Sequence, residues 1–265
     1  MTRAKPTTKE LRRELAVGTL FNRARSALII TGPALSAEAG LTHYRGIAGL
    51  IRKTAEDGKR IEAALSADGL AHRPKLTWQV ILEMDRMIRT AQPTAGHRAL
   101  VALERVLPRM TIMTINIDRL HQRAGARDVI EMHGALHDLR CARCELTTRH
   151  DSYAGLPTPP KCATCGDVLR PDMPLFGESL PSDPFTRLQA ELDTGFDLVC
   201  AVGVTTMFPY LARPLLLAKQ DGIPTIEIGQ SHTDLSEVVD FALRGSPAHI
   251  LEGIADVVRR LPARE

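Results

Sequence analysis

Five short apolar runs narrow the possible folds of this chain more than anything else in it: Ala27–Thr31, Thr111–Ile115, Val129–Met132, Asp197–Val202 and Pro224–Ile228. Unbroken apolar runs of this length suit strands buried on both faces, as in a parallel sheet. Helical patterns occupy the intervals at Thr8–Arg25, Thr94–Leu107, Phe208–Gln220 and Pro247–Arg260. The last follows Gly245-Ser246, which places a serine cap before a first-turn proline. Strands alternating with helices predict an α/β fold, a Rossmann-like doubly wound parallel sheet. Residues 1–45, 94–139 and 171–265 are expected to form it, with a helical module at 46–93 and a zinc-binding module at 140–170 inserted.

Composition removes several function classes. Among 265 residues, 34 Lys and Arg nearly balance 31 Asp and Glu, and the net charge of +3 gives nucleic acid little to bind. Aromatic residues are only 4%, which argues against a base-stacking surface. No run approaches the ~20 apolar residues of a membrane span. The polar, basic Met1–Arg13 segment lacks the apolar stretch of a secretory signal. The expectation is a cytoplasmic protein with no membrane partner.

Cys141-Ala142-Arg143-Cys144 is followed, 17 residues later, by Cys162-Ala163-Thr164-Cys165. Each C-x-x-C pair turns two thiolates to one side of a tight knuckle, and two knuckles close a tetrahedron around zinc. Four thiolates leave no open coordination position, so one structural Zn2+ is expected on Cys141, Cys144, Cys162 and Cys165. Free or buried cysteines would be the plainer account, but the doubled spacing around a proline-rich segment argues for metal. Cys200, inside an apolar run, reads as a core residue.

Polar residues cluster where the runs end. Gly32-Pro33-Ala34-Leu35-Ser36 follows the first run, a place where amide N–H groups at a helix start can face phosphate. Alone this signal is weak, because the G-x-G-x-x-G pattern is absent and Pro33 has no N–H. Asn116 and Asp118 follow the second run, at the carboxyl edge where doubly wound sheets bind ligands. His133-Gly134 follows the third and makes His133 a candidate general base. Gly203-Val204-Thr205-Thr206 follows the fourth, with hydroxyls suited to ribose or phosphate. His97, just after Thr94, reads as a capping residue, and His121 as a structural one.

Together these segments resemble the sirtuins, Sir2-type NAD-dependent protein deacylases, over about Ala27 to Val258. The family's G-A-G-x-S is similar to Gly32–Ser36, its F-R-G to Tyr44-Arg45-Gly46, and its T-Q-N-I-D-x-L-H-x-x-A-G to Thr114–Gly125. Its E-x-H-G matches Glu131–Gly134, its R-P-x-x-x-x-F-G-E matches Arg170–Glu178, and its G-T-S region resembles Gly203–Thr206. The two C-x-x-C pairs stand in family order between them.

The resemblance implies NAD bound across the sheet edge and acyl-lysine proteins as substrates. Asp118 would hold the nicotinamide carboxamide and Asn116 would order the ribose, with His133 as general base. Gly32, Ala34, Ser36, Tyr44, Arg45, Ile115, Gly203, Thr205, Thr206 and Gly229 would complete the NAD site. An extended peptide would pair as a strand with Met173, Pro174, Phe176 and Gly177. The products would be nicotinamide and O-acyl-ADP-ribose. Several positions depart from the family: Pro33 and Ala34 in the glycine loop, Ile115 for glutamine, Thr42-His43 before the aromatic-Arg pair, and Gly229 for asparagine. These weaken or re-pose NAD without touching His133. They leave open mono-ADP-ribosyl transfer or NAD hydrolysis on the same site, and a catalytically weak zinc scaffold. Ungapped from Trp78, a helix that carries Tyr-x-x-Arg in succinyl-preferring members has Ile81 and Met84 here, which implies neutral acyl groups.

Overall fold

The computed structural model describes residues 8–41, 61–205 and 208–262. We number the helices α1 (Thr8–Arg23), α2 (Pro33–Ala37), α3 (Ala67–His72), α4 (Pro74–Thr90), α5 (Ala95–Glu104), α6 (Leu120–Ala124), α7 (Ser182–Thr194), α8 (Pro209–Gln220) and α9 (Pro247–Arg260). The strands are β1 (Ser26–Thr31), β2 (Arg109–Thr114), β3 (Val129–Glu131), β4 (Ala135–Cys141), β5 (Thr147–Arg149), β6 (Leu169–Asp172), β7 (Leu198–Val202), β8 (Thr225–Gly229) and β9 (Phe241–Arg244).

Six strands form one sheet in the order β3-β2-β1-β7-β8-β9, every pair parallel. This is a doubly wound α/β sheet, as the alternation of runs predicts. Successive β1 residues face opposite layers. Ala27 and Ile29 pack with Phe21 of α1, Leu100 of α5 and Leu251 of α9, whereas Leu28 and Ile30 pack with Leu188 of α7 and Leu211 and Leu215 of α8. The strand order reverses between β1 and β7, and that switch point opens a crevice beyond the carboxyl ends of the strands.

The helix starts follow local chemistry. Thr94 caps α5 reciprocally with His97, whose backbone and ring both meet it. Ser246 caps α9 ahead of Pro247. Glu38 adds a second anchor there, accepting from Ser246 Oγ at 2.7 Å and Ala248 N at 3.1 Å.

Two elements of this sheet domain are absent from the sequence reading. β9 is a four-residue edge strand with only Leu243 buried, and α7 buries only Leu188 fully, so neither leaves a strong apolar period. The proline-rich Cys141–Cys165 segment carries β5 between its knuckles. β4 runs through residue 140 and pairs antiparallel with β5 and β6, a three-stranded sheet that closes at Asp172.

That small sheet and the α3–α4 helices share one core. Ile61, Leu65, Trp78, Ile81 and Met84 pack with Leu136, Leu139, Tyr153, Leu169 and Met173. Trp78 donates to Leu169 O at 3.0 Å and meets the Tyr153 ring edge-on. His137 bonds Asp85 at 2.8 Å, which also accepts from Tyr153 N. Ile81 and Met84 are core residues there, and they offer no polar group to a ligand.

Candidate active site

The carboxyl ends of β1, β2, β3 and β7 bring together four of the loops that the sequence singles out. β1 ends at Thr31, and Gly32 turns the chain into α2. A side chain at Gly32 would meet Gly203 O at 2.7 Å and Val204 Cα at 2.8 Å, so glycine is required for the close passage of the two loops. Gly203 adopts φ +63° for the same crossing.

The backbone of this crossing corrects one expectation. Pro33 has no N–H, Ala34 N–H is taken by Gly203 O at 3.0 Å, and Leu35 N–H by Gly32 O at 3.2 Å. The first amides of α2 are therefore spent within the protein, not presented to a phosphate.

Beneath the loops lies a buried polar network. Asn116 Nδ2 donates to Gly32 O at 3.1 Å and to Ser36 Oγ at 2.9 Å. The Ser36 hydroxyl also faces the Asp118 carboxyl and favours its charged form. Asp118 also accepts from Leu120 N at 2.8 Å, at the start of the short helix α6. Burial pushes the Asp118 carboxyl above the usual carboxylate range, with the Ser36 and Leu120 hydrogen bonds opposing it. Asn116, Asp118 and Ser36 are each under a tenth exposed. Ile115 departs from the expected lining role: it packs in the apolar layer with Met113, Ile130 and Val204. Thr205 is exposed at the crevice rim, and Gly229 ends β8 with open space where a side chain would project. Tyr44, Arg45 and Thr206 lie outside the described residues.

His133 stands after β3 on the same edge. Gly134, at φ +61°, is required behind it, because a Cβ would fall 1.9 Å from Asp172 O. His133 Nε2 lies 2.7 Å from the Tyr210 hydroxyl, a partner the sequence reading missed. Burial lowers the His133 imidazole to about 4, so it is neutral at pH 7.

Arg119 ties this edge to the antiparallel sheet. It has left-handed backbone, φ +56°, rare for a non-glycine residue. Its guanidinium forks onto Glu131, two residues before His133, at 3.1 Å, and onto Asp138 of β4 at 2.8 Å. Arg149 of β5 shares Asp138.

The R-P-x-x-x-x-F-G-E segment has a physical reason. Arg170, 4% exposed, pairs with Glu178 and donates to Met173 O at 2.7 Å, while Glu178 accepts from Leu175 N at 2.8 Å. The clamp fixes Met173–Gly177 as a loop beside β6. Met173 is buried, Pro174 half-buried, and Phe176 and Gly177 exposed. Phe176 N already bonds Leu65 O at 2.9 Å, so one edge of this segment is occupied.

The four cysteines converge as their spacing predicts. Their sulfurs all lie within 4.8 Å of one another, with Cys141–Cys165 and Cys144–Cys162 at 3.4 Å. Zn–S bonds of about 2.3 Å set tetrahedral sulfurs ~3.8 Å apart, so the cage fits zinc. Each knuckle closes on a left-handed residue, Glu145 (φ +57°) and Gly166 (φ +74°). The Cys165 amide, pointing at Cys162, does most to lower that thiol to about 6. Cys200 is a fully buried core residue whose thiol burial pushes up.

Beneath Thr31 sits a buried histidine pair. His121 Nε2 bonds Thr31 Oγ1 at 2.8 Å, and the His97 ring centroid is 4.8 Å from that of His121. His97 Nε2 and His121 Nδ1 are buried with no hydrogen-bond partner among the described residues. Burial lowers His97 to about 4 and His121 to about 3.

A parallel sheet with polar strand ends at its switch point, joined to a four-cysteine module, defines a nucleotide-binding α/β protein with a structural metal. Comparison narrows the class. The family model described as the Sir2 family matches residues 32–208. A protein of Pseudomonas aeruginosa named NAD-dependent protein deacylase 2 is 39% identical over 247 residues, 92% of this chain and 96% of that protein. NAD-dependent protein deacylase 1 of Archaeoglobus fulgidus is 33% identical over 87% of this chain and 92% of its own length. A crystal structure of a Sir2 homolog–NAD complex superposes with a TM-score of 0.84 at 31% identity, covering 92% of this chain and 93% of that one. This chain belongs to the Sir2 family.

Proposed function

We propose that the chain is an NAD-dependent protein-lysine deacylase that releases nicotinamide and O-acyl-ADP-ribose. The observation that carries this is the neutral His133 imidazole on the same strand edge as the buried Asn116–Ser36–Asp118 network. That network fits NAD: a partly desolvated carboxyl and carboxamide, fixed by hydrogen bonds at a switch-point crevice, are preorganised to read a carboxamide and a ribose. NAD supplies the ribose carbon that accepts the acyl oxygen as nicotinamide departs.

The residues divide the remaining work. Asp118 holds the carboxamide, and Asn116 orders the ribose from a position fixed by Gly32 and Ser36. His133 keeps a lone pair at neutral pH and removes the proton from a sugar hydroxyl. Gly32, Ala34, Tyr44, Arg45, Gly203, Thr205, Thr206 and Gly229 are assigned to the NAD crevice, formed by residues 1–45, 94–139 and 171–265. The acyl-lysine peptide pairs as a strand with Met173–Gly177, which gives affinity with little sequence selectivity. Cys141, Cys144, Cys162 and Cys165 hold one structural Zn2+.

The test is NAD-dependent turnover of an acetyl-lysine peptide. O-acetyl-ADP-ribose is the expected product, whereas ADP-ribosylated protein or free ADP-ribose alone would replace this reading with transfer or hydrolysis. His133→Ala is expected to lower turnover by ~10²–10⁴ with unchanged circular dichroism.

A further inference from the structure

We propose that Tyr210 is a positioning residue for His133, and that in the ligand-free protein its hydroxyl holds the place of the sugar hydroxyl on which His133 acts. This rests on the deacylase reading only for the identity of that sugar.

Tyr210 is the second residue of α8, directly beyond the Gly203–Thr205 loop. Its hydroxyl lies 2.7 Å from His133 Nε2. The ring is aimed by its neighbours. It stacks on Phe208, with centroids 5.6 Å apart and planes 8° apart, and meets Phe185 of α7 edge-on at 5.5 Å.

The direction of the hydrogen bond follows from the chemistry of the two groups. A neutral imidazole has one N–H and one lone pair. A half-buried phenol that stays protonated donates far better than it accepts, so Nε2 accepts a hydrogen bond from Tyr210 and Nδ1 carries the ring's proton. Tyr210 thereby selects the tautomer in which Nε2 is basic and satisfies it until a substrate hydroxyl arrives. A base can remove a proton only through that lone pair, so the sugar hydroxyl must take the site of the phenol oxygen. The displaced ring has somewhere to go. A cavity of about 600 Å³ lies between α7 and α8, bordered by Tyr210 itself with Phe185, Leu188, Leu192, Arg213 and Pro214.

The experiment uses the full zinc-loaded chain with ¹⁵N-labelled histidine, and ADP-ribose as the probe. In the free wild type, His133 Nε2 is expected to show the signal of a hydrogen-bonded acceptor. In Tyr210→Phe it moves to that of an unbonded one, and ADP-ribose moves it back. By calorimetry, Tyr210→Phe is expected to bind ADP-ribose about five-fold more tightly, the equilibrium equivalent of one ordinary hydrogen bond no longer broken on binding. In a His133→Ala background the same substitution should leave affinity unchanged. An unchanged Nε2 signal in the free variant, equal or weaker ADP-ribose binding, or the same gain without His133 would each overturn the proposal. A wild type that takes up no ADP-ribose would sink the deacylase reading instead, and the Nε2 signals of the free proteins would still decide the hydrogen bond.

Discussion

The carboxyl edge of the parallel sheet and the four-cysteine module are held in place by opposite means. At the edge, Asn116, Ser36 and Asp118 sit almost out of solvent; Asn116 and Asp118 are fixed by hydrogen bonds to the backbone of Gly32 and Leu120, and Ser36 by Asn116. In the module, Cys144 is exposed, and short strands alternate with turns that bury few apolar side chains of their own. The edge needs no metal to exist. The module reaches a defined shape only through its sulfurs and the core it borrows from α4. Precision at a reactive edge is bought with buried polar groups that cost stability, whereas the distant support is cheap to build and depends on one ion. Arg119 joins the two, from Glu131 near His133 to Asp138 in β4.

Removing the metal should break the comparison most visibly. Structural zinc sites contribute roughly 10–16 kcal/mol of apparent binding free energy in small domains, more than a module of this size supplies by packing. Chelation, or Cys162→Ser, is expected to unfold the antiparallel sheet and loosen its shared core while the parallel sheet persists. The single tryptophan, Trp78, reports this directly, since it bonds Leu169 O beside β6 and packs on Tyr153. Its emission should shift to the red with most helical circular dichroism retained. Zinc loss that left Trp78 emission unchanged would mean that the core stands without the metal.

Acid should sharpen the contrast from the other side. His97, His121 and His133 have folded values of about 4, 3 and 4, below the ordinary 6.5. A histidine lowered in this way favours the folded state above its unfolded value, and that contribution is lost as pH falls below 6.5. Each such group costs about 1.4 kcal/mol per pH unit across the window. Asp138, Glu178, Asp197 and Asp240 are lowered carboxylates, and their contributions disappear only further down, below their ordinary values near 4. The urea midpoint should therefore fall steeply between pH 7 and pH 5, and much less in a His97→Gln/His121→Gln variant. An equal fall in that variant would show that the buried pair is not the source.

What the residues reveal in advance follows the same division. The buried strands of the parallel sheet were legible because both layers demand unbroken apolar runs, and the metal cage because thiolate spacing has few other uses. Asn116, Asp118 and His133 were legible by place, at the ends of such runs. β9 and α7 escaped notice because an edge strand and a half-exposed helix need few apolar residues. Tyr210 could not be foreseen: its meeting with His133 spans 77 positions and depends on how Phe185 and Phe208 aim its ring. The packing of Ile115 and the bonded Ala34 amide could not be read from the motif, for one reason. A motif shows which backbone stands at the crevice, but which way each group faces is settled by Gly203 and the apolar layer behind it.

The smallest expected effect has two signs, and it tests the comparison at its centre. Asp118 has a folded value above the ordinary carboxylate one, because burial disfavours its charge more than Ser36 and Leu120 support it. A group raised in this way stabilises the fold fully only at pH below its unfolded value, and at pH 7 its burial costs stability. Asp118→Asn keeps the shape and an acceptor oxygen for Leu120 N while removing the charge. The free protein should then melt at the same temperature or a few degrees higher, since ~1 kcal/mol corresponds to a shift of about 2–4 °C in chains of this size. Affinity for NAD should fall by roughly ten-fold or more, the loss expected for a hydrogen bond to a charged group. A structural residue would lose stability and leave affinity alone. If Asp118→Asn destabilises the chain and binds NAD as the wild type does, the buried polar network serves the fold and the edge is no different in kind from the module.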